Sequence, residues 1–347
     1  MKPAQKRRDQ RRRFHQRRAR RAARNRKRTK ERKSRPDQTR PTKYYLPHKH
    51  KPIVCPPSLH IDRDPISTAA ALQFLCELHN VIVQGKYDRV TIDHRELQDI
   101  SPAAVLVLLA YTHHAMQQQP QIRLKALLPT APDVLSLLQS AGYFEYYQLH
   151  SPIPPDKQAG VLGHIREQGV KTKRVEEFMR RLPPSLVQTS SLYEALIEAA
   201  KNTVEWAYSR EELHPYWWLM AAHPPKSGEI SICFVDLGVG IPKTIRVRLK
   251  DRVPLLNPQG CELIRKAVMQ GKYSNTQKPN RGNGLPTLKR LIDSGPHGQM
   301  TVLSLGSFFQ YKRGSYCDDG SPTTLAKEIH KGSNLRGTVI SWKIAKQ

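Results

Sequence analysis

A pair of polar side chains on one predicted helix is the first candidate for chemistry in this chain. Glu198 and Asn202 lie four residues apart in the segment SSLYEALIEAAKNTVEWAY (190–208), whose apolar residues recur at near-helical spacing. Side chains at this spacing project from the same helix face, one turn apart. The carboxylate can orient a water molecule and the amide oxygen can ligate a metal ion, although such pairs are also common on solvated helices.

Two glycine motifs follow this helix in the sequence. Asp236 ends the apolar segment EISICFVD and begins DLGVG, so that Gly238 and Gly240 come directly after a carboxylate at a strand end. That carboxylate can accept a hydrogen bond from the exocyclic amine of a purine, and glycines let the backbone approach a ligand closely. Farther on, Gly282 and Gly284 open the segment GNGLPTLKRLI, where the free N–H groups of a helix N-terminus favour phosphate. Taken alone, the first motif also suits a turn and the second an ordinary helix cap.

The order of these motifs resembles the GHKL ATPase superfamily, which contains gyrase-type ATPases, heat-shock chaperones, histidine kinases and bacterial anti-sigma factors. The resemblance covers about residues 185–344 and implies a Bergerat-type α/β sandwich that binds ATP and Mg²⁺. It implies that Glu198 is the base or water-positioning acid, that Asn202 ligates Mg²⁺, and that Asp236 bonds adenine. It also implies a nucleotide pocket and lid formed by Gly238, Gly240, Gly282, Gly284, Leu285 and Thr338, with residues 272–280 in the lid.

One residue departs from the kinase-like members of that superfamily. They often carry His or another polar residue four positions after the metal-binding Asn, where this chain has Trp206. Nucleotide binding is therefore better supported than hydrolysis or phosphotransfer. His164 lies outside any recognisable dimerisation helix, which argues against an ordinary sensor histidine kinase. The alternatives are a serine kinase of the anti-sigma type and a non-catalytic protein with a vestigial pocket.

The segments around these motifs predict a second α/β domain at residues 185–347. Strands are expected at 216–222, 229–236, 300–307 and 336–344, and a further helix at 261–270. The proline-rich stretch that begins SPIPPDKQAG predicts an interdomain linker over residues 151–184.

An earlier α/β pattern predicts a first domain at residues 58–150. Strands at 59–61, 89–93 and 122–128 alternate with helices at 66–84, 101–119 and 131–144. The segment RVTIDHRELQDISPAAVLVLL (89–109) resembles STAS domains, the fold of anti-sigma factor antagonists. In that alignment Pro102 occupies the phosphoacceptor position, and Ser101 is explained more simply as a helix cap. Unless the register differs by one residue and Ser101 is the acceptor, the resemblance implies a module that docks a protein partner or acts as a scaffold, and not a phosphorylation switch.

The N-terminal arm holds most of the net charge. Of 347 residues with a formal charge of +29, residues 1–51 contain 23 Lys and Arg against three acids, a balance of +20, and the remaining 296 carry +9. An arm so poor in apolar residues is predicted to be disordered. Arginine-dense segments bind phosphates, so nucleic acid is the expected partner, with a solubility tail or anionic lipid as alternatives. The candidate residues are Arg7, Arg8, Arg11, Arg12, Arg13, Arg17, Arg18, Arg20, Arg21 and Arg24.

Composition excludes several other classes of protein. The longest uninterrupted apolar stretch, 103–111, is about half the ~20 residues that span a bilayer, so no transmembrane segment is predicted. The five cysteines are scattered and never form CxxC, so neither a zinc knuckle nor a disulfide framework is indicated. We expect a cytoplasmic protein of undetermined oligomeric state.

Overall fold

The chain forms a mixed α/β structure in a computed structural model. Residues 49–347 group as one compact unit. The structure describes residues 49–147, 160–184, 190–208, 215–223, 228–250 (backbone only at 246–250), 259–271, 284–295, 297–314, 317, 321–329 and 336–345. The arginine arm, the lid segment 272–280 and Gly282 lie outside these residues.

The first part of the described chain has short parallel strands and three helices. In order they are β1 (His50–Val54), β2 (Ser58–Leu59), α1 (Pro65–Val83), β3 (Arg89–Asp93), β4 (Asp99–Ile100), α2 (Pro102–Gln118), β5 (Arg123–Leu127), α3 (Pro132–Ser140) and a 3₁₀ turn (Tyr143–Tyr146).

The second part contains one large sheet and its helices. In order they are β6 (Val161–Gln168), α4 (Thr172–Met179), α5 (Ser190–Asn202), a π-helical turn (Thr203–Ala207), β7 (Tyr216–Ala222), β8 (Glu229–Asp236), α6 (Ile241–Lys250), α7 (Gly260–Gln270), α8 (Gly284–Asp293), β9 (Gly298–Ser304), β10 (Ser307–Arg313), β11 (Thr323–Glu328) and β12 (Thr338–Ala345).

These strands form three sheets. A parallel sheet has the order β1-β3-β5, and the short strands β2 and β4 pair in parallel beside it. The large sheet is antiparallel in every described pairing, with the order β11-β10-β9-β12-β8-β7-β6. In this order β12, the last strand of the chain, lies between β9 and β8, and Thr338 pairs with Asp236.

Capping residues explain where the first two helices start. Asp64 accepts from the backbone N–H groups of Ile66 and Ser67 at 2.8 and 2.9 Å, immediately before α1. Ser101 Oγ accepts from Ala104 N at 3.2 Å and is followed by a proline in the first turn of α2. Ser101 is also 2% exposed. The prediction that Ser101 is a helix cap is therefore confirmed.

Helix α2 joins the two parts of the described chain. It is buried along nearly its whole length and contacts β7, β8 and β12 of the large sheet. Its side chains, those of α1 and the inner side of the parallel sheet share one core with this face of the large sheet. Helices α4, α5, α7 and α8 contribute to a second core that covers the opposite face. Both faces of the large sheet are therefore packed.

A buried polar cluster fixes the same junction. Asp62 is 1% exposed, accepts from Ser341 Oγ at 2.8 Å and lies 3.3 Å from Lys343 Nζ. Its backbone carbonyl accepts from Gln299 Nε2 at 3.0 Å and from Thr301 Oγ1 at 3.3 Å. Buried polar groups need such partners, so this cluster specifies one arrangement of the first part on strands β9 and β12.

Two boundary predictions were wrong. The folded part does not begin near Ser58, because β1 starts at His50 and pairs with β3; Pro52 is compatible with this strand since β1 lies at a sheet edge. Residues 160–184 are not a linker, because β6 is an edge strand of the large sheet and α4 packs onto its core.

Other predicted elements need smaller corrections. The predicted helix at 131–144 breaks at Gly142 (φ +74°), between α3 and the 3₁₀ turn. The predicted strand at 300–307 turns at Leu305 and Gly306, which have φ values of +51° and +75°, and returns as β10. Strands β10 and β11 and helix α6 were not predicted.

One described helix, α1, is long and apolar enough to cross a membrane by length and composition alone. Its side chains Leu72, Leu75 and Leu78 are buried in the core shared with α2, while Gln73 and Glu77 are exposed. Core helices of soluble proteins pass the same test, so α1 is weak evidence for a membrane span.

Candidate functional site

A cavity opens between helices α5, α6 and α8 and the ends of β8 and β12. It measures about 540 Å³, counting the part open to solvent. Its walls are mostly apolar, with a few polar groups, which is the usual composition of a small-molecule site. The lining residues are Ala199, Asn202, Trp206, Ala207, Phe234, Asp236, Gly240, Ile241, Thr244, Ile245, Leu285, Leu288, Thr338 and Ile340.

Asp236 is the buried acid of this cavity. It is 5% exposed at the last position of β8, and Gly238 N donates to Oδ1 at 2.9 Å. Burial raises the pKa of Asp236 to about 7, and hydrogen bonds from Gly238 and Thr338 oppose this rise. A buried carboxylate with spare acceptor capacity in an apolar pocket favours a ligand that brings its own N–H donor.

The turn after Asp236 requires glycine at two positions. A Cβ atom at Gly238 would lie 2.1 Å from the carbonyl oxygen of Ala207. Gly240 has φ +82°, and a Cβ there would lie 2.7 Å from Leu305 Cγ. The DLGVG motif therefore holds the backbone between the end of the π-helical turn and the β9–β10 turn.

The π-helical turn is itself bound to this segment. Ala207 O accepts from Val239 N at 2.6 Å. Tyr208 OH donates to Tyr216 O at 2.6 Å and accepts from Leu237 N at 2.9 Å. π-helical turns are frequent at functional sites. Here the turn places Trp206 in the cavity wall with 40% of its surface exposed.

Glu198 and Asn202 lie near the end of α5. Burial raises the pKa of Glu198 and Glu205 adds to the rise, while Lys201 and the nearby Asn202 amide lower it. Asn202 lines the cavity, and its Nδ2 atom is buried without a hydrogen-bond partner in regular geometry among the described residues. The pair therefore offers a carboxylate with a raised pKa and an amide that is not fully hydrogen-bonded.

The N-terminus of α8 meets this pair directly. Gly284 is the first residue of α8, and a Cβ atom there would lie 2.0 Å from Glu198 Oε1. A larger residue at this point would force the Glu198 carboxylate to move. The N-terminus of an α-helix attracts anions, so a phosphate group is a suitable ligand beside it.

A nucleotide-bound metal fits these residues better than a metal held by the protein alone. Among the described residues no group of three or more His, Cys, Asp or Glu could hold a metal ion. Mg²⁺ commonly takes only one or two protein ligands and completes its shell with phosphate oxygens and water. Asn202 Oδ1 and the Glu198 carboxylate are oxygen donors of that kind.

The structure brings most of the predicted site residues together. Of these, Asn202, Asp236, Gly240, Leu285 and Thr338 line the cavity. Glu198, Gly238 and Gly284 do not line it: Gly238 packs against Ala207, and Gly284 lies against Glu198. Gly282 and the ten candidate arginines of the arm lie outside the described residues. His164 is in the edge strand β6 and does not line the cavity.

Sequence reasoning missed several residues of the site. Phe234, Ile241 and Ile245 form apolar wall, and Tyr208 and Arg336 fix the Asp236 turn. Arg336 Nε donates to Leu237 O at 2.7 Å, and Arg336 N donates to Tyr111 OH of α2 at 3.1 Å. No local spacing could have linked Tyr111 to a residue 225 positions away.

Comparison with models of protein families finds no match to this chain. Comparison with curated proteins also finds no significant match.

Proposed function

We propose that this chain binds Mg·ATP in the cavity between α5, α8 and β8, in a GHKL-type domain fused to a STAS-like module. The observation that carries the proposal is the placement of a buried acid, Asp236, at one end of an apolar cavity that also contains Asn202. The N-terminus of α8, which adjoins Glu198, is suited to phosphate when Mg²⁺ offsets the charge of that carboxylate. One cavity therefore offers complementary groups for a purine amine, an apolar ring and an anionic tail.

Each group has a distinct task in this proposal. Asp236 accepts a hydrogen bond from the adenine amine, because Gly238 and Thr338 already hold its carboxylate in place. The apolar walls, including Phe234 and Ile340, exclude water from the ring. Asn202 is the ligand for Mg²⁺, which would neutralise phosphate charge.

Hydrolysis is the proposed reaction of the bound nucleotide. Glu198 accepts a proton from water as the water oxygen attacks the γ-phosphorus, and the bond from that phosphorus to the β-phosphate oxygen breaks to release ADP. The raised pKa of Glu198 suits this role, since a general base works best when its pKa is nearer the working pH.

Calorimetric titration of the full chain with ATP and GTP in the presence of Mg²⁺ tests binding. We expect ATP to bind and GTP to bind more weakly, since guanine has a carbonyl oxygen at C6, where adenine has the amine that Asp236 would accept from. Asp236→Asn should lower ATP affinity by about 10- to 100-fold, the range for a hydrogen bond to a charged group. The control is Glu96→Gln, which removes the same charge at an exposed position and should leave the affinity for ATP unchanged. Absence of ATP binding by the wild-type chain would refute the proposal.

Two further substitutions separate binding from hydrolysis. Asn202→Ala should remove the Mg²⁺ dependence of nucleotide binding, and Glu198→Gln should preserve binding but abolish phosphate release. Tryptophan fluorescence offers a second readout of binding, because Trp206 is 40% exposed in the cavity wall while Trp217, Trp218 and Trp342 are 5% exposed or less. Equal hydrolysis by wild type and Glu198→Gln would defeat the assignment of the base.

A serine kinase of the anti-sigma type is the alternative enzyme. The fused STAS-like module does not supply its substrate, since Ser101 is buried and bonded to the start of α2, and the next residue is a proline. Transfer of phosphate from ATP to a serine of a separate protein would favour this alternative over simple hydrolysis.

The STAS-like module and the arm carry the proposed partner interactions. The module would dock a protein partner, and the arginines of residues 1–51 would bind nucleic acid through its phosphates. A non-catalytic protein that acts through this arm is the remaining alternative, and it predicts nucleic-acid binding without ATP hydrolysis.

A further inference from the structure

The parallel sheet β1-β3-β5 has a side that faces away from the core. Alternate residues of its strands, such as Ile53, Val90 and Leu124, are buried in the core. The residues between them point to the opposite side, which we call the outer sheet face. Its first row contains His50, Arg89 and Arg123, and its second row contains Pro52, Thr91 and Lys125. His50, Pro52 and Arg123 are exposed, and Arg89, Thr91 and Lys125 are half-buried.

Basic side chains dominate these two rows. Arg89 and Arg123 are neighbours in register, and Lys125 follows two residues later on the edge strand. The third row contains Asp93, but Arg95 neutralises this carboxylate through bonds of 2.9 and 2.7 Å. The other nearby acid, Asp88, accepts from Lys49 N at 3.0 Å. The outer sheet face therefore presents an excess of positive charge.

The sequence that precedes β1 is also strongly basic. Residues 1–48 hold 21 Lys and Arg against three Asp and Glu, and β1 begins at His50 on the sheet edge. The arm cannot itself be the preferred occupant, because its charge has the same sign as that of the outer sheet face. A polyanion, in contrast, has the charge that complements the outer sheet face.

We propose that the outer sheet face binds the backbone of single-stranded RNA. The two rows lie on the face of a sheet, and not on a helix or ribbon that could enter the major groove of duplex DNA. Apart from His50 the two basic rows contain no aromatic side chain, so contacts to phosphate and sugar rather than base stacking would provide most of the affinity. Thr91 Oγ1, bonded to His50 Nε2 at 2.9 Å between the basic residues, offers a hydroxyl partner for the ribose 2′-OH.

Fluorescence anisotropy with the full chain tests this site. The probe is a labelled 20-nucleotide single-stranded RNA of mixed sequence, titrated over a series of salt concentrations in parallel with DNA of the same sequence. Arg123→Gln combined with Lys125→Gln should reduce the slope of log affinity against log salt by about 1.4, since each lost phosphate contact contributes about 0.7 for single strands. The matched control, Lys171→Gln with Lys173→Gln on α4, removes two charges elsewhere and should leave the slope near that of wild type.

Thr91→Val tests the choice of RNA over DNA. Valine keeps the β-branched shape in the central strand, so the sheet should persist, but the preference for RNA should disappear. An equal loss of slope in both double variants, or no RNA binding by the wild type, would overturn the proposal. Equal affinity of the wild type for RNA and DNA would overturn the assignment to RNA. ATP titration of the same variants should be unchanged, so failure here is distinguishable from failure of the nucleotide site.

Discussion

Replacement of Asp236 by Asn should stabilise the ligand-free protein while it weakens nucleotide binding. Burial raises the pKa of this carboxyl from an ordinary value of 3.8 to about 7, so the folded state holds a proton that the unfolded state has lost. Stability therefore falls as pH rises from about 4 to about 7, and the full loss corresponds to about 4 kcal/mol. Asparagine does not ionise and avoids this loss.

The pH dependence of the unfolding free energy is the most specific test of this prediction. Relative to wild type, Asp236→Asn should gain about 3 kcal/mol of unfolding free energy between pH 5 and pH 8. Urea unfolding followed by the fluorescence of the buried Trp217 and Trp342 measures this difference at each pH. Glu96→Gln, on the exposed surface, serves as the control for loss of one acid.

Two results would refute this reasoning. A constant difference in unfolding free energy between variant and wild type from pH 5 to pH 8 would show that Asp236 is not protonated in the ligand-free fold. A variant that binds ATP as tightly as wild type at pH 8 would show that the carboxylate does not contact the nucleotide. Because an amine donor favours the ionised carboxylate, ATP affinity of the wild type should rise with pH over the same interval.

Three other perturbations probe separate parts of the molecule. Gly284→Ala places a Cβ atom against Glu198 and should slow phosphate release by about 100-fold while ATP still binds, as measured in parallel by a release assay and calorimetry. Lys343→Met leaves Asp62 buried without its cation and should lower the unfolding free energy by about 3 to 5 kcal/mol in urea titrations. Removal of residues 1–48 should preserve the fold and ATP affinity but reduce the salt dependence of nucleic-acid binding, followed by anisotropy.

Matched controls make these tests specific. Gly228→Ala adds a methyl group with no described atom within 4 Å, so it should leave hydrolysis unchanged. Lys327→Met on the exposed face of edge strand β11 should be close to neutral for stability. Slow hydrolysis in Gly228→Ala, or a neutral Lys343→Met, would contradict the corresponding structural argument.

The sequence predicts best where an element is long or has clear periodicity. Strands β3, β7 and β8 have the predicted bounds, and Ser101 caps α2 as expected. The predictions were wrong where the position of a segment in the tertiary structure determines its conformation. Pro52 would interrupt an interior strand, and only the edge position of β1 makes it acceptable.

The candidate site shows the same division. Glu198, Asn202 and the glycine motifs have local signatures, so their types and spacing could be recognised in the sequence. The reason why glycine occupies each of these positions could not be recognised in the sequence. It depends on a contact with a residue distant in the chain, such as that between Gly284 and Glu198 or between Gly238 and Ala207. Apolar wall residues such as Phe234 carry no signal that distinguishes a pocket from a core.

The core shared by the first part and the large sheet limits how the two parts of the described chain can move relative to each other. Helix α2 packs on β7, β8 and β12, and Tyr111 on that helix contacts Arg336, which in turn holds the carbonyl of Leu237 beside Asp236. A movement of the Asp236 turn must therefore break these contacts or carry α2 with it. Since α2 is buried along most of its length, rearrangement of its surroundings is costly.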